Sequence, residues 1–328
     1  MSRFQRREFL IAACALLVAP FALGQLAGRR VRIAILDDAY EESQAQFWSV
    51  FRDQLQKLGY VEGKNLVIEA RFEQGVPARL PAPAAELVAL KPDLIMTSTT
   101  PSTQAAMKAT SGIPIVFVAA ADPVKSGLVA SLARPGGNVT GQSVMSAQMA
   151  DKWIEMLLEI VPGAKKVGYL GQSSNQAIQE IYQSPQQTGR SRGAEIRLLE
   201  AGTPDAISRA FELMVREKFD SFVVATTPVI LAHRQKIVDL AARHRLPAVY
   251  PREEYVAAGG LLSYGRDIVT GYRRAADFAH RILQGAKPAD LPVEQPTSIG
   301  AVVNLATARA LGIKIPQSIL LRADRVIE

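Results

Sequence analysis

Hydroxyl and carboxyl side chains recur in this sequence immediately after short apolar runs. An Asp pair at 37–38 follows one such run, and the four residues Thr-Ser-Thr-Thr at 97–100 follow another. The stretch Thr99-Thr100-Pro101 also has the pattern of a helix start, with Thr100 as the N-cap and proline in the first turn. Free backbone N–H groups and the helix dipole at such a start suit a carboxylate or a similar anion. This pattern favours the binding of a small polar molecule.

The candidate binding residues share one position, the carboxyl end of a predicted strand. In open parallel sheets, ligands bind beyond these ends. Taken alone, each threonine is also explained as a plain helix N-cap, so the hypothesis depends on the shared position. The candidates are Asp38, Tyr40, Ser98, Thr99, Thr100, Asp122, Ser174, Asn175, Thr227 and Glu253.

Signatures of catalysis are missing from the sequence. No Gly-x-Gly-x-x-Gly follows a predicted strand, and neither a Walker A loop nor Gly-x-Ser-x-Gly occurs. His233 and His244 could share a helix face, but eleven residues separate them by about 16 Å, too far to bind one metal ion. Glu253 and Glu254 could form an acid/base pair, although a solvated pair or a ligand clamp is the commoner arrangement. We therefore expect no catalytic residues, no metal and no cofactor.

Short apolar strands alternate with helical stretches along the chain, and this alternation is typical of a parallel sheet with helices on both faces. Gly59 follows the first helical stretch, as expected where a helix ends. In the first half, the expected strands are residues 31–36, 66–70, 93–96 and 115–118, and the expected helices are residues 42–58, 80–90 and 103–110.

The second half of the chain repeats the first. The segment PDLIMTSTTP at 92–101 has a counterpart in FDSFVVATTP at 219–228, and SGIPIVFV at 111–118 has one in HRLPAVYP at 244–251. A third pair, at the start of each half, completes a set of offsets between 127 and 135 residues. The sequence therefore predicts an α/β protein of two doubly wound parallel-sheet lobes, with a ligand cleft between them.

Residues 6–24, RREFLIAACALLVAPFALG, are the most hydrophobic stretch of the chain. The apolar part is about 15 residues long, shorter than the roughly 20 that span a bilayer, and it follows a cluster of arginines. These are the properties of a secretory signal. We interpret residues 1–27 as an export signal, cleaved after Gly24 or after Ala27.

Two features of this segment bear on the export route and on anchoring. RREFL resembles the twin-arginine pattern, with Gln5 where that pattern prefers Ser or Thr; a general secretory signal is the alternative. Cys14 is the only cysteine of the sequence, so the mature chain would have no disulfide. Residues 11–14 resemble a lipobox, which would make Cys14 a lipid anchor, but the apolar run continues well beyond it.

The charge of the chain is mildly basic. Its 328 residues carry a net charge of +7, which falls to +5 if residues 1–24, with three Arg and one Glu, are removed. A nucleic-acid-binding protein would show a clustered basic face, whereas the basic residues here are scattered beside acids. We expect no nucleic-acid partner, and the length suffices for two domains.

Four segments, taken together, are characteristic of one protein family. They are RPGGNVTG (134–141), PAVYPREEYVAAGGLLSYG (247–265), YRRAADFAHRILQGAKPADLPVEQPT (272–297) and NLATARALGIKIPQSILLRAD (304–324). Together they resemble the ABC-transporter substrate-binding proteins of the tryptophan-binding TrpX type. The resemblance covers nearly the whole chain after the expected signal. It implies a periplasmic-binding-protein fold of type 1, whose lobes are joined by a three-segment hinge.

The resemblance also implies where the chain would cross between the lobes. The crossings would lie near Gly141, near Tyr264-Gly265-Arg266 and near residues 288–296. Lobe 1 would then comprise residues 31–142 plus 266–291. Lobe 2 would comprise residues 143–265 plus 292–328, after the export signal at 1–27.

The implied function is that of a monomeric periplasmic receptor. It would capture a small organic ligand, amino-acid-like and in particular aromatic, and deliver it to a permease and its ATPase at the inner membrane. Such a ligand would place its carboxylate on Thr99 and Thr100 and its ammonium group near Asp122 or Glu253. Tyr264, near the hinge, or Tyr40 could stack on an aromatic ring, with core or rim packing as the alternative for both.

Two other functions remain open from the sequence. A ligand-sensing module that docks on a membrane receptor would have the same fold and the same cleft. An exported enzyme is a weaker alternative because the signatures of catalysis are missing.

Overall fold

The computed structural model describes residues 30–296 and 299–328. The expected export signal at residues 1–27 therefore lies outside the described residues. Across the described ranges, no helix combines the length and the apolar character needed to cross a membrane.

The first lobe is built around a five-stranded sheet. Its strands are β1 (Val31–Asp37), β2 (Leu66–Phe72), β3 (Leu94–Thr99), β4 (Ile115–Ala120) and β5 (Val139–Ser143). They lie in the order β2-β1-β3-β4-β5, and every neighbouring pair is parallel. The carboxyl ends of all five strands therefore lie at one edge of the sheet.

The second lobe is built around a seven-stranded sheet. Its strands are β6 (Lys166–Gly171), β7 (Glu195–Glu200), β8 (Ser221–Val224), β9 (Ala248–Tyr250), β10 (Leu262–Arg266), β11 (Ile299–Asn304) and β12 (Arg325–Ile327). They lie in the order β12-β11-β10-β9-β8-β6-β7. All neighbouring pairs are parallel except β10 and β11, which are antiparallel.

Helices cover both faces of the sheets, which is why the central strands are apolar on both sides. The longer helices are α1 (Glu41–Lys57), α2 (Pro81–Ala89), α3 (Thr100–Ala109), α4 (Ser146–Ile160), α5 (Gln176–Ser191), α6 (Pro204–Arg216), α8 (Arg234–His244) and α10 (Ile268–Leu283). The shorter ones are α7 (Pro228–Ala232), α9 (Glu253–Ala257), α11 (Leu305–Leu311) and α12 (Gln317–Leu320). Two 3₁₀ turns occupy Pro77–Arg79 and Pro288–Asp290.

Helix α10 comes from late in the sequence but packs in the core of the first lobe. Its buried side chains Tyr272 and Phe278 belong to the same cluster as Trp48 and Phe51 of α1 and Ile35 of β1. The chain thus leaves the first lobe after β5, builds most of the second lobe, and returns to the first lobe immediately after β10.

The chain crosses between the lobes a third time beside the first crossing. Ser143 N–H donates to the Glu294 carbonyl oxygen at 2.8 Å, and Glu294 N–H donates to the Gly141 carbonyl oxygen at 3.0 Å. Gly141 has a φ of +150°, and a Cβ there would lie 2.1 Å from the Phe117 carbonyl oxygen. Only glycine fits where these segments meet, which accounts for one of the glycines of RPGGNVTG.

The predicted α/β fold of two parallel-sheet lobes is confirmed, with two corrections of detail. The β10–β11 pair is antiparallel because the chain enters β11 from the hinge side rather than after a crossover helix. The N-cap of α3 is Thr99, not Thr100: Ser102 Oγ accepts from Thr99 N–H at 3.0 Å. Thr100 is already helical, and its hydroxyl accepts from Ala121 N–H at 3.1 Å.

Candidate functional site

A cleft with a free volume of about 150 Å³ lies between the carboxyl edges of the two sheets. An engineered apolar cavity of that order holds one benzene ring. Both lobes contribute polar and aromatic walls. The lining side chains that carry the argument below are Asp38, Ser98, Thr99, Trp153, Tyr169, Arg252, Tyr255, Arg266 and Tyr272.

A buried carboxylate pair lies at the end of β1. Asp37 accepts hydrogen bonds from Trp48 Nε1 at 2.8 Å and from Ala39 N–H at 3.0 Å. The Ser98 hydroxyl lies 2.7 Å from Asp37 Oδ1 and 3.2 Å from Asp38 Oδ1. Asp38 Oδ1 also accepts from the Thr99 hydroxyl at 2.7 Å. Asp37 is thus fully engaged, and Asp38 is the member that faces the cleft.

The carboxylate pair has no cationic partner among the described residues. Burial, followed by the negative charge of Asp38, raises the pKa of Asp37 to about 6, and burial raises the pKa of Asp38 as well. No hydrogen bond from another described residue reaches Asp38 Oδ2. The first lobe therefore presents a desolvated carboxylate with a free oxygen, which would be stabilised by a cationic group of a ligand.

Two arginines form the complementary part of the cleft. Arg252 pairs with Glu254 through two of its nitrogens, with Nε 3.2 Å from Oε2. Arg266 donates from Nη2 to the Val118 carbonyl oxygen at 3.1 Å and forms no ion pair within the described chain. Burial, together with the nearby Arg252, lowers the pKa of Arg266 to about 10, so the guanidinium remains charged at neutral pH. Arg266 is therefore available to pair with an anionic group of a ligand.

The helix starts around the cleft are largely capped from within the protein. Asn175 Oδ1 accepts from Ala177 N–H at 3.0 Å, and the Thr227 hydroxyl accepts from Ile230 N–H at 3.3 Å. At the start of α3, the Asp38 carboxylate lies against the Thr99 hydroxyl. An anionic ligand group would therefore meet a negative charge at α3, not a free helix end.

Aromatic side chains form much of the remaining wall. Trp153 is held by a hydrogen bond from Nε1 to the Tyr264 carbonyl oxygen at 2.6 Å. Tyr272 is fixed by a 3.1 Å hydrogen bond to Gln44 Oε1 and by an edge-to-face contact with Trp48, with ring centroids 4.9 Å apart. A rigid apolar wall of this kind suits a planar ring.

The two lobes contact each other beside the cleft. The Arg252 guanidinium of the second lobe lies 4.7 Å from the ring centroid of Phe47 in the first. Gly75, in the loop after β2, faces Val229 of α7, and a Cβ on Gly75 would lie 2.4 Å from Val229 Cγ2. The structure is thus a closed form, with the cleft covered by both lobes.

The structure brings together six of the eleven residues proposed from the sequence: Asp38, Ser98, Thr99, Thr100, Asn175 and Thr227 line the cleft. Asp122 lines an adjacent cavity of about 180 Å³, and Ser174 is exposed. The Glu253 side chain is 61% exposed and pairs with Arg325 at 2.9 Å. Half-buried Tyr40 precedes α1, and Tyr264 packs against the core of the second lobe. Ligand contacts by all eleven residues remain predictions.

Sequence reasoning missed the arginines and most of the aromatic wall. Arg252 lies next to Glu253, which the sequence pattern favours, and Arg266 lies at a predicted hinge. Trp153, Tyr169 and Tyr255 are spaced like ordinary core residues, so no local pattern distinguishes them. Within residues 30–296 and 299–328, no cluster of His, Cys, Asp and Glu is placed to hold a metal ion.

Comparisons with known proteins agree with this architecture. A family model described as ABC transporter substrate binding protein matches residues 32–327. The tyrosine-binding protein of Clostridioides difficile (strain R20291) is 30% identical over 260 residues, which are 79% of this chain and 74% of that protein.

Two solved structures bear on the conformation. The ABC domain from Streptococcus pneumoniae in complex with L-Trp is 26% identical and superimposes with a TM-score of 0.82, over 91% of this chain and 100% of the other. The ligand-free, open structure of a substrate-binding protein with adhesive properties from Clostridium difficile is also 26% identical. Its TM-score is 0.65, over 90% of this chain and 99% of that one. At equal identity, the closed cleft described above resembles the ligand-bound structure more closely.

Proposed function

Because the chain belongs to the family of ABC transporter substrate-binding proteins, we propose that it captures an aromatic amino acid in the cleft between its lobes. It acts as a monomeric receptor in the periplasm, reached through the export signal expected at residues 1–27. There it delivers the ligand to a permease and its ATPase in the inner membrane. The tyrosine-binding and L-Trp-bound relatives support this ligand class.

The observation that carries the proposal is the presence of two uncompensated charges of opposite sign in one cleft. Asp38 of the first lobe has a free carboxylate oxygen, and Arg266, at the end of β10 where the chain returns to the first lobe, forms no ion pair with a carboxylate of the described chain. A zwitterionic amino acid supplies both missing partners, with its ammonium on Asp38 and its carboxylate on Arg266. Asp122 and Glu253, proposed from sequence as ammonium ligands, lie farther from this arrangement.

Ligand capture then follows from closure of the lobes. A ligand that contacts Asp38 on the first lobe and the aromatic wall of the second lobe, formed by Trp153 and Tyr169, stabilises the closed form over the open one, because only the closed form makes both sets of contacts. The closed receptor presents both lobes to the permease in a fixed arrangement. Ligand binding thereby changes the shape of the receptor in a way that a membrane partner can recognise.

Isothermal titration calorimetry of the mature chain with ligands and their trimmed analogues tests this proposal. L-tyrosine and L-tryptophan should bind, whereas tyramine, which lacks the carboxylate, and 3-(4-hydroxyphenyl)propionate, which lacks the ammonium, should each bind at least tenfold more weakly. Equal affinity for tyrosine and both analogues would contradict recognition of the zwitterion. Binding of none of these compounds would contradict the ligand class.

A further inference from the structure

Two tyrosines in the cleft wall of the second lobe have no hydrogen-bond partner for their hydroxyl groups. Tyr169 lies on β6 and Tyr255 on α9, each is about 1% exposed, and both line the cleft. Neither phenol oxygen forms a hydrogen bond with another residue of the described chain, and neither is fully enclosed, since Ser221 Oγ is the fully enclosed side-chain atom without a partner among the described residues. Buried tyrosine hydroxyls are usually paired, so these two differ from the norm at the place where a ligand is expected.

Other tyrosines of the protein show the usual pattern. The Tyr182 hydroxyl donates to the Ile196 carbonyl oxygen at 2.6 Å, and the Tyr272 hydroxyl donates to Gln44 Oε1 at 3.1 Å. Tyr250 also has an unpaired hydroxyl within the described chain, but it packs behind Tyr255 and does not line the cleft. Of the three tyrosines that line the cleft, Tyr169 and Tyr255 have unpaired hydroxyls, whereas the Tyr272 hydroxyl is paired.

The two rings are held rigidly. Tyr169 packs against Tyr182 with ring centroids 5.7 Å apart, and Tyr255 stacks on Tyr250 at 4.9 Å with the ring planes 11° apart. Burial raises the pKa of both Tyr169 and Tyr255 above its ordinary value. Each hydroxyl therefore stays protonated at neutral pH and can either donate or accept a hydrogen bond.

Charged groups near these tyrosines already have partners: Arg252 and Glu254, near Tyr255, bond to each other, and Asp151, near Tyr169, accepts from Ser184 and Thr188. Met149, Trp153 and Ile178 line the same cleft, and the Trp153 indole N–H is already committed to the Tyr264 carbonyl oxygen. An aromatic ring that packs against these apolar side chains lies in the cleft whose wall carries the unpaired Tyr169 and Tyr255 hydroxyls. Sites that pair a substrate hydroxyl or N–H discriminate strongly against an analogue that lacks the group.

We propose that Tyr169 and Tyr255 bind a polar group on the ligand ring, so that the receptor selects amino acids with a phenol or indole N–H over phenylalanine. This inference rests on the proposed function, since it assumes that the ligand is an aromatic amino acid. Phenylalanine would leave both hydroxyls unpaired in a closed site from which water is largely excluded, and an unpaired buried polar group is costly. We expect tyrosine or tryptophan to bind about 10- to 100-fold more tightly than phenylalanine.

Calorimetric titration of L-tyrosine, L-tryptophan and L-phenylalanine into wild type and tyrosine-to-phenylalanine variants tests the inference. In the double variant Tyr169→Phe/Tyr255→Phe, the preference over phenylalanine should fall below about threefold, and the affinity for phenylalanine itself should be unchanged or higher. The matched control is Tyr182→Phe, which removes a hydroxyl bonded outside the cleft and should keep the full preference. Thermal melting of each variant checks that it remains folded.

The outcomes separate this inference from the proposed function. If wild type binds all three amino acids equally, or if the double variant keeps the wild-type preference, the role of the two hydroxyls is wrong while aromatic amino-acid capture stands. If wild type binds none of the three, the proposed function itself fails. A loss of preference in Tyr182→Phe as large as in the double variant would also overturn the inference, because the effect would then be one of packing.

Discussion

The substitution Asp38→Asn is expected to abolish most ligand affinity without harming the fold. Asp38 is the carboxylate at the cleft wall whose Oδ2 has no partner within the described chain, and we assign it to the ligand ammonium. Asparagine can still accept the hydrogen bond from the Thr99 hydroxyl, which is 2.7 Å from Oδ1 in the structure. The substitution also removes the charge that opposes ionisation of buried Asp37. The ligand-free protein should therefore melt at the same temperature or higher.

The expected loss of affinity can be worked from these contacts. A hydrogen bond to a charged group contributes about 1.5–3 kcal/mol, and removing one partner of a buried charge pair costs about 2–5 kcal/mol. We expect a loss of about 2–4 kcal/mol, which corresponds to a Kd that rises roughly 30- to 1000-fold. Calorimetric titration with the best natural ligand measures this change.

A matched control separates the role of Asp38 from a general effect of charge. Glu86→Gln also removes one carboxylate from the first lobe, but the Glu86 side chain is 62% exposed and pairs with Arg71 at the surface. It should leave the Kd unchanged within about twofold, because exposed ion pairs contribute little. A Kd for Asp38→Asn within threefold of wild type would refute the assignment of the ligand ammonium to this residue.

Three further predictions concern pH and closure. Burial and the neighbouring aspartate raise the pKa of Asp37 to about 6. The stability that protonated Asp37 contributes is therefore fully present below about pH 4 and is lost as the pH rises through 6. In urea denaturation, the free energy of unfolding of Asp37→Asn should change less over this pH range than that of wild type, by roughly 3 kcal/mol. Gly75→Ala places a Cβ against Val229 and should weaken ligand binding more than Gly63→Ala, which has a similar positive φ and open space around it; equal Kd values would contradict an effect on closure. Arg252→Gln removes the cation–π contact between the lobes. It should raise the rate constant of ligand dissociation, measured by stopped-flow fluorescence, about two- to fivefold.

The architecture was largely predictable because it depends on periodic patterns. The alternation of apolar strands and helices, and the repetition of PDLIMTSTTP as FDSFVVATTP, predict two similar lobes, and the structure confirms them. Apolar spacing alone predicts a helix over 103–110, whereas the Thr-Thr-Pro capping pattern predicts a start near Thr100, and the structure begins α3 at Thr100 with Thr99 as the N-cap. The antiparallel β10–β11 pair was not predictable from local periodicity, since strand direction depends on the path of the chain between the lobes.

The cleft was predictable only in part. Position at a strand end correctly placed Asp38, Ser98 and Thr99 at one wall. The same reasoning could not rank Arg252 above its neighbour Glu253, because which of two adjacent side chains faces the cleft depends on the turn at the start of α9. Nor could it find Arg266, whose missing counter-charge becomes visible only when the surrounding carboxylates are placed in space.

A co-crystal structure of the mature chain with L-tyrosine or L-tryptophan tests the central claim most directly. We predict closed lobes with the ligand in the cleft, its ammonium within hydrogen-bond distance of Asp38 Oδ2 and its carboxylate on the Arg266 guanidinium. A ligand bound outside the cleft, or one whose carboxylate faces Asp38, would contradict the account.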